Sequence, residues 1–243
     1  HGWRRHFAAD RVIITAVGHI RHADVAAMAA EHFAALPERR AVGLAQPEGD
    51  RIARQIMEED EEQVNFCWGG RSYPASDPRN FALAILDAIF GASATSRLFQ
   101  EIREKRGLAY DITSEAIGFR RTGIFYAAGA ASPETFPAVL ALVRQEIDGL
   151  RRRGITDAEL ARAKEQMKCG LALGMEGTLD RMRRLASHQF TWGQIYPLRY
   201  LIDQLNRVTR DDVMQVITEL MDTATWTFAA IGPVQEAETA GIV

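Results

Sequence analysis

This 243-residue sequence contains few cysteines, few lysines and no long hydrophobic run. Cys67 and Cys169 stand apart without Cys-x-x-Cys spacing, which argues against a disulfide framework or a zinc knuckle and predicts two small buried hydrophobes. No apolar run approaches the roughly 20 residues of a membrane-spanning helix, so no membrane partner is expected. Lysine occurs only at positions 105, 164 and 168 among 29 basic residues, which is typical of a protein from a GC-rich bacterial genome.

The charge of the chain is small and evenly spread. The net charge is −3 with both signs interspersed, so neither a nucleic acid nor an acidic membrane surface is indicated as a partner. With 47% apolar residues, the chain can fill the core of one large or two small domains. No signal-like segment is visible, which favours a cytoplasmic protein. A periplasmic location stays open because the first residue is His1 rather than methionine.

The start of the chain predicts a strand, a helix and a linker. Residues 11–20 are β-branched and apolar, which is typical of a buried strand ending at Gly18. Asp24 is expected to cap a helix that Pro37 stops. Residues 37–50 carry two prolines and two glycines without periodicity, which is typical of a linker between domains.

Apolar periodicity predicts further strands and helices after the linker. A capping box of Thr156 and Glu159 opens one of the helices, and residues 118–121 form the turn of a hairpin. Strands are predicted at 52–58, 63–70, 109–118, 122–131 and 225–231, and helices from 77 to 90, from 132 to 150, from 156 towards 170 and, as two or three segments, across 176–221.

One weak internal repeat is visible. Apolar strands end in glycine at Gly18 and again at Gly232, 214 positions later. Self-similarity at a long period is typical of repeated architectures. It predicts that the chain begins at the end of one repeat and contains one complete second repeat, with most of a first repeat upstream of His1.

The histidine patterns that could hold a metal are incomplete. A zinc site of the His-x-x-Glu-His type places two imidazoles one helical turn apart. At Glu31 and His32 the first ligand position is taken by Met28, so the motif fails and the pair is interpreted as helix surface. His19 and His22 have loop spacing suited to a metal, but no third ligand follows them.

Other catalytic signatures are missing from the sequence. His188 stands alone in a helical pattern and is expected to pack or cap rather than catalyse. No Ser/His/Asp, Cys/His, P-loop or Rossmann pattern occurs. Taken alone, the chain shows no catalytic residues and no metal ligands.

The stretch from Gly91 to Ser114 predicts a small-residue loop, a short helix, a stop and a strand. Ser93, Thr95 and Ser96 can each cap the exposed amides of the helix start. Gly107 is expected to end the helix in a left-handed conformation, because glycine adopts it without steric cost. The helix end and the strand start are then close in space, which brings Arg103 near Tyr110.

Arg103 and Tyr110 are candidate binding residues rather than nucleophiles or metal ligands. A guanidinium and a phenol offer donors that can hold a peptide carbonyl or a developing oxyanion. The alternative is an arginine on a solvated helix face and a tyrosine half-buried in a strand. Spacing alone favours that alternative.

The central motif is recognisable as it stands in the sequence. Ser96-Arg-Leu-Phe-Gln-Glu-Ile-Arg-Glu-Lys-Arg-Gly-Leu-Ala-Tyr110 closely resembles the second-half motif of the zinc metallopeptidases that include insulin-degrading enzyme, pitrilysin and the mitochondrial processing peptidase. The segments at 11–18, 65–70 and 156–164 also resemble their family counterparts, in the same order. The resemblance extends over nearly the whole chain.

This resemblance implies an α+β fold in which an antiparallel sheet is backed by helices, duplicated in two homologous halves that enclose a chamber. It implies residues 1–36 as the C-terminal tail of the first, zinc-binding half, 37–50 as the linker and 51–243 as the second half. In the family the first half binds zinc through His-x-x-Glu-His and a downstream glutamate. The positions that hold the substrate backbone in the second half match Arg103 and Tyr110.

The expected protein is therefore the C-terminal portion of a peptide-hydrolysing zinc metallopeptidase. Zinc is expected outside this chain, on a missing N-terminal half or on a zinc-bearing partner subunit, so the chain alone is expected to be inactive. A homodimer or a heterodimer is possible, and the chain is also expected to bind a peptide substrate. The alternative is a non-catalytic, substrate-binding or structural subunit of the same family.

Overall fold

The computed structural model describes residues 9–36, 52–235, 239 and 241–243 of the chain. These residues divide by their contacts into two compact units. The first unit contains residues 9–36 together with 169–201, and the second contains the remaining described residues. The predicted linker at 37–50 and the first eight residues lie outside the described part of the chain.

Five strands of the second unit form one sheet in the order β1-β5-β2-β4-β3. The β1–β5 pairing is parallel and the other three pairings are antiparallel, so the sheet is mixed. The strands are β1 (Arg54–Glu58), β2 (Val64–Ser72), β3 (Ala109–Gly118), β4 (Gly123–Ala131) and β5 (Thr227–Gly232). Each of them lies at a position that the sequence pattern predicts.

The helices follow one another in the chain order that periodicity predicts. In the described residues they are α1 (His22–Phe33), α2 (Asn80–Phe90), α3 (Phe136–Arg153), α4 (Asp157–Leu173), α5 (Thr178–Trp192), α6 (Leu198–Arg207) and α7 (Arg210–Leu220). α2, α3 and α7 pack with the strands of the second unit. The predicted α+β fold, a sheet backed by helices, is therefore confirmed, while the parallel β1–β5 pairing makes the sheet mixed rather than wholly antiparallel as expected.

One face of the sheet forms the core and the other faces outward. Along β2, Phe66 and Trp68 are buried while Cys67 between them is exposed, as the period of two requires. Trp226 lies edge-on to Trp68 at 5.9 Å between ring centroids and to Phe125 at 6.2 Å. These aromatic pairs fill the core between the sheet and the helices.

The prediction that both cysteines are buried is wrong. Cys67 and Cys169 are exposed. Cys67 lies on the outward face of the sheet because its neighbours occupy the buried positions of the alternation. Cys169 lies near the end of α4, on a stretch with no buried residue after Ala163.

The prediction of a buried strand at residues 11–20 is also wrong for this chain. Residues 12–17 have no regular structure, and Ile13 and Ile14 are exposed. No described strand pairs with this segment, and a strand needs such a partner for its backbone N–H and C=O groups. Thr15 Oγ1 instead donates to the carbonyl of Met182, at 3.3 Å.

The helix that Asp24 is predicted to cap starts three residues earlier than expected. α1 begins at His22, so Asp24 lies in its first turn rather than at the cap. Its carboxylate accepts two hydrogen bonds from the Arg21 guanidinium, at 2.8 and 2.9 Å. A carboxylate in the first turn also interacts favourably with the helix dipole.

The predicted capping box at the start of α4 is present and carries a second interaction. Thr156 N–H donates to Glu159 at 2.7 Å, and Glu159 N–H donates to Thr156 Oγ1 at 3.2 Å. The Arg97 guanidinium donates to both oxygens of the Glu159 carboxylate, at 2.7 and 3.0 Å, and to the Gly154 carbonyl. Both charged side chains are mostly buried. This bidentate pair ties the central motif to the α3–α4 turn.

The ion pair between Arg97 and Glu159 should make the free energy of unfolding depend on pH in the acid range. Burial raises the pKa of Glu159, but hydrogen bonds from Arg97 and Thr156 and the Arg97 charge outweigh it and lower the pKa from 4.5 to about 2. Because the folded-state pKa is depressed, the stabilisation is complete above about pH 4.5 and is lost as pH falls towards 2. Glu159→Gln is expected to cost about 2 kcal/mol at pH 7 in urea unfolding.

The same variant should flatten the pH dependence. Between pH 7 and pH 3, Glu159→Gln should lose less unfolding free energy than the parent chain, because the titrating carboxylate is gone. Glu165→Gln is the matched control, since Glu165 lies on the same helix in an exposed pair with Lys168. Equal pH dependence in all three proteins would contradict this interpretation.

Candidate substrate-binding site

The central motif forms a short helix that widens into a π-helix over Phe99–Glu104. Ser96 Oγ accepts from Phe99 N–H at 3.4 Å, so the predicted serine cap is present. Lys105 N–H donates to the carbonyl of Gln100, five residues earlier, at 3.0 Å. Single π-helical turns of this kind are rare and occur frequently at functional sites.

The helix ends at Gly107 as predicted. Gly107 has φ +63°, in the left-handed region that favours glycine. Its N–H donates to the carbonyl of Arg103, and Leu108 N–H donates to that of Ile102, both at 3.0 Å. Thr135 Oγ1 donates to the Leu108 carbonyl at 2.9 Å, which holds the turn between the helix and β3.

Tyr110 occupies a β-bulge at the start of β3. Ala109 pairs with Ala131 and Asp111 pairs with Ala130, so Tyr110 is an extra residue without a partner in the register. A bulge re-aims the side chain it carries and often lies next to an active site. The Tyr110 side chain is 78% exposed, which is unusual for an aromatic residue in a strand.

The structure brings the two predicted residues into direct contact. Arg103 Nη1 donates to the backbone carbonyl of Tyr110 at 2.9 Å. The Arg103 guanidinium carbon lies 4.3 Å from the centroid of the Tyr110 ring and 4.8 Å from that of Phe99. The guanidinium therefore contacts two aromatic rings at the junction of the π-helix and β3.

The charge of Arg103 is not neutralised by Glu101, which lies two residues earlier on the same helix. Glu101 pairs with Lys105 and with Arg106 Nη1, the latter at 2.6 Å. Hydrogen bonds from Lys105 and Arg106 lower the pKa of Glu101, so this carboxylate stays ionised and engaged. Since a guanidinium carries five N–H donors and the Tyr110 carbonyl takes one, donors remain for a ligand carbonyl or carboxylate.

The described residues do not fit a zinc site. Among them, no group of three histidine, cysteine, aspartate or glutamate side chains could hold a metal ion. His19, His22 and the Glu31-His32 pair are all exposed on the α1 segment. His188 is buried, with its ring edge-on to Trp192 at 4.6 Å, and it accepts from Tyr196 N–H. His188 therefore packs against Trp192 and caps the Tyr196 N–H, as its isolated position in the helix predicts.

Sequence reasoning missed a half-buried carboxyl group beside β3. Ser114 Oγ donates to the Asp87 carboxylate, which joins α2 to the strand that carries Tyr110. Burial raises the pKa of Asp87 to about 6, against the opposing effect of hydrogen bonds from Ser114 and from Ala116 N–H. The only available signal was a charged residue in a helix that is otherwise largely apolar.

The fold and the contact between Arg103 and Tyr110 define an α+β domain with a donor-rich site at a helix-to-strand junction. A family model described as "Peptidase M16 inactive domain" matches residues 3–167. The chain belongs to the M16 peptidase family, which confirms the resemblance of the central motif.

Curated relatives and solved structures agree with this family. An uncharacterized zinc protease of Streptomyces coelicolor is 30% identical over 97% of this chain and 53% of its own length. Another uncharacterized zinc protease, from Bacillus subtilis, is 28% identical over 94% of this chain and 55% of its own length. The crystal structure of a peptidase M16 inactive domain from Pseudomonas fluorescens shares the fold, with a TM-score of 0.78 at 23% identity over 90% of this chain and 53% of that one.

The chain spans about half the length of the curated relatives that it matches. In the described residues, no helix is both long enough and apolar enough to cross a membrane.

Proposed function

We propose that this chain is the C-terminal portion of a zinc metallopeptidase that hydrolyses peptides. In this proposal Arg103 and Tyr110 bind the substrate backbone opposite a zinc site on an N-terminal half. The observation that carries it is the Arg103 guanidinium, held by the Tyr110 carbonyl and two rings while donors remain for a ligand. The proposal is tested by replacing Arg103 in the assembled protein and measuring the hydrolysis of a peptide.

The two side chains would act on the same peptide group. A guanidinium N–H and the exposed Tyr110 hydroxyl can both donate to a carbonyl oxygen of a bound peptide. Donors that are already in place when charge develops on that oxygen stabilise it without reorganisation. The bulge and the π-helix support this role because they fix the two side chains before the substrate arrives.

Zinc is placed outside this chain in the proposal. Relatives of about twice this length are named zinc proteases, and the described residues here offer no ligand set. The zinc would belong to the N-terminal half of the same protein or to a zinc-bearing partner subunit. A homodimer or heterodimer would satisfy the same requirement.

The domain assignment forms part of the proposal. Residues 1–36 would be the tail of the first half, 37–50 the linker and 51–243 the second half. Support comes from residues 12–17, which have no regular structure, carry exposed isoleucines and pair with no described strand. A strand-forming sequence in that state is suited to joining a sheet of another domain.

Hydrogen exchange tests this assignment. Joining the chain to its N-terminal half should slow amide exchange across residues 12–17 by on the order of tenfold or more, because strand pairing protects N–H groups. Exchange in β2, which is already paired on both sides, should stay the same. Unchanged exchange at 12–17 in the assembled protein would refute the assignment.

A second candidate is a non-catalytic subunit that binds substrate or supports a catalytic partner. The observation in its favour is the description of the matching family model as an inactive domain. Peptide binding without hydrolysis by the whole assembled protein would favour this candidate. Hydrolysis that depends on Arg103 would favour the peptidase.

A further inference from the structure

The Phe99 ring, like the Tyr110 ring, lies next to the Arg103 guanidinium. The guanidinium carbon is 4.8 Å from the Phe99 centroid and 4.3 Å from the Tyr110 centroid, both within the range of cation–π attraction. A free arginine side chain samples many rotamers, and holding it in one costs conformational entropy. Two rings restrict the guanidinium before any ligand binds.

The helix fixes where the Phe99 ring lies. Phe99 and Arg103 are four residues apart and so lie on one side of the helix. Leu98 and Ile102, the residues just before each of them, are fully buried and anchor the opposite side in the core. Phe99 itself is half-buried, although the open side of a short helix would accept a polar residue. Its ring is thus placed by the core and directed at Arg103.

We infer that Phe99 is a positioning residue for Arg103 in peptide binding. The inference rests on the proposed function and adds a residue to it. Phe99 acts through the guanidinium, since its ring lies within cation–π distance of Arg103 while only one N–H of the guanidinium is engaged by the Tyr110 carbonyl. The aromatic ring is the required feature, because an aliphatic side chain of similar size gives no cation–π attraction.

A double-mutant cycle in the assembled full-length protein tests the inference. Phe99→Leu should lower kcat/KM for a peptide substrate about tenfold, and Phe99→Tyr should retain it within about twofold because the ring is kept. In an Arg103→Ala background, Phe99→Leu should have no further effect. A purely structural role would instead lower kcat/KM equally in both backgrounds and would overturn the inference.

The cycle separates failure of the inference from failure of the proposed function. If Arg103→Ala lowers kcat/KM while Phe99→Leu does not, Phe99 is no positioning residue and the function stands. If Arg103→Ala has no effect, the proposed function itself fails.

A second measurement does not depend on activity or on the stability of a variant. In ¹⁵N NMR spectra of the unmodified chain, the Arg103 Nε–H proton should be shifted upfield by the two rings. Arg106, three residues away and paired with Glu101, is the internal reference because no ring contacts it among the described residues. An Arg103 signal at the position of Arg106 would overturn the inference.

Discussion

Replacing Arg103 by alanine is expected to lower kcat/KM of the assembled peptidase about a hundredfold. The estimate follows from the loss of one preorganised donor to a developing oxyanion, which costs about 10²–10³ in rate in other enzymes. Arg103 is well suited to this role because the Tyr110 carbonyl and two rings hold it in place. Steady-state kinetics with a fluorogenic peptide would measure the effect.

The stability of the variant should fall modestly. Arg103 gives one hydrogen bond and two cation–π contacts but forms no ion pair among the described residues, so its removal is expected to cost about 1–2 kcal/mol. Thermal unfolding of the variant checks this. A hundredfold fall in activity, measured well below the Tm of the variant, would then report binding rather than folding.

Arg106→Ala is the matched control for Arg103→Ala. Arg106 ends the same helix and carries the same charge, but it pairs with Glu101 and contacts neither ring among the described residues. Its kcat/KM should stay within about twofold of the parent, as for surface charges away from a site. Equal losses in the two variants would indicate a general electrostatic effect and contradict a specific role for Arg103.

Tyr110 contributes a neutral donor, so its removal should cost less. Tyr110→Phe keeps the ring over Arg103 and removes only the hydroxyl, with an expected loss of about tenfold in kcat/KM. Full activity in Tyr110→Phe would assign the residue to holding Arg103 instead of binding the peptide. The distinction matters because the ring and the hydroxyl have separate functions in the proposed site.

The features that sequence reasoning predicted correctly are those set by nearby residues. Gly107 ends its helix in a left-handed conformation because only local sterics are involved. The Thr156 and Glu159 capping box forms within one helical turn, from residues three positions apart. Arg103 and Tyr110 meet because one glycine turn separates their elements.

The features that were missed depend on distant partners. The bulge at Tyr110 exists only in the register of β3 against β4, which no local pattern encodes. Residues 11–20 have the composition of a buried strand, but composition does not tell whether another strand is there to pair with it. Cys67 is exposed because the phase of β2 is set by the aromatic core on the other face of the sheet.

The second prediction with a large expected effect concerns peptide hydrolysis by the isolated chain. The isolated chain should hydrolyse no peptide, and joining it to the zinc-bearing half should produce the activity. The reason is chemical: a guanidinium and a phenol can hold a peptide carbonyl but cannot supply the nucleophile, and the described residues contain no metal site that could. Hydrolysis by the isolated chain at the rate of the assembled protein would contradict the division of the site between two halves.

The zinc content of the isolated chain, measured by elemental analysis after removal of loosely bound metal, tests the central claim most directly. If this chain carries the substrate-binding side of a site whose metal lies elsewhere, the purified chain should contain far less than one zinc ion per molecule. Stoichiometric zinc that survives dialysis would place the metal on this chain and contradict the claim.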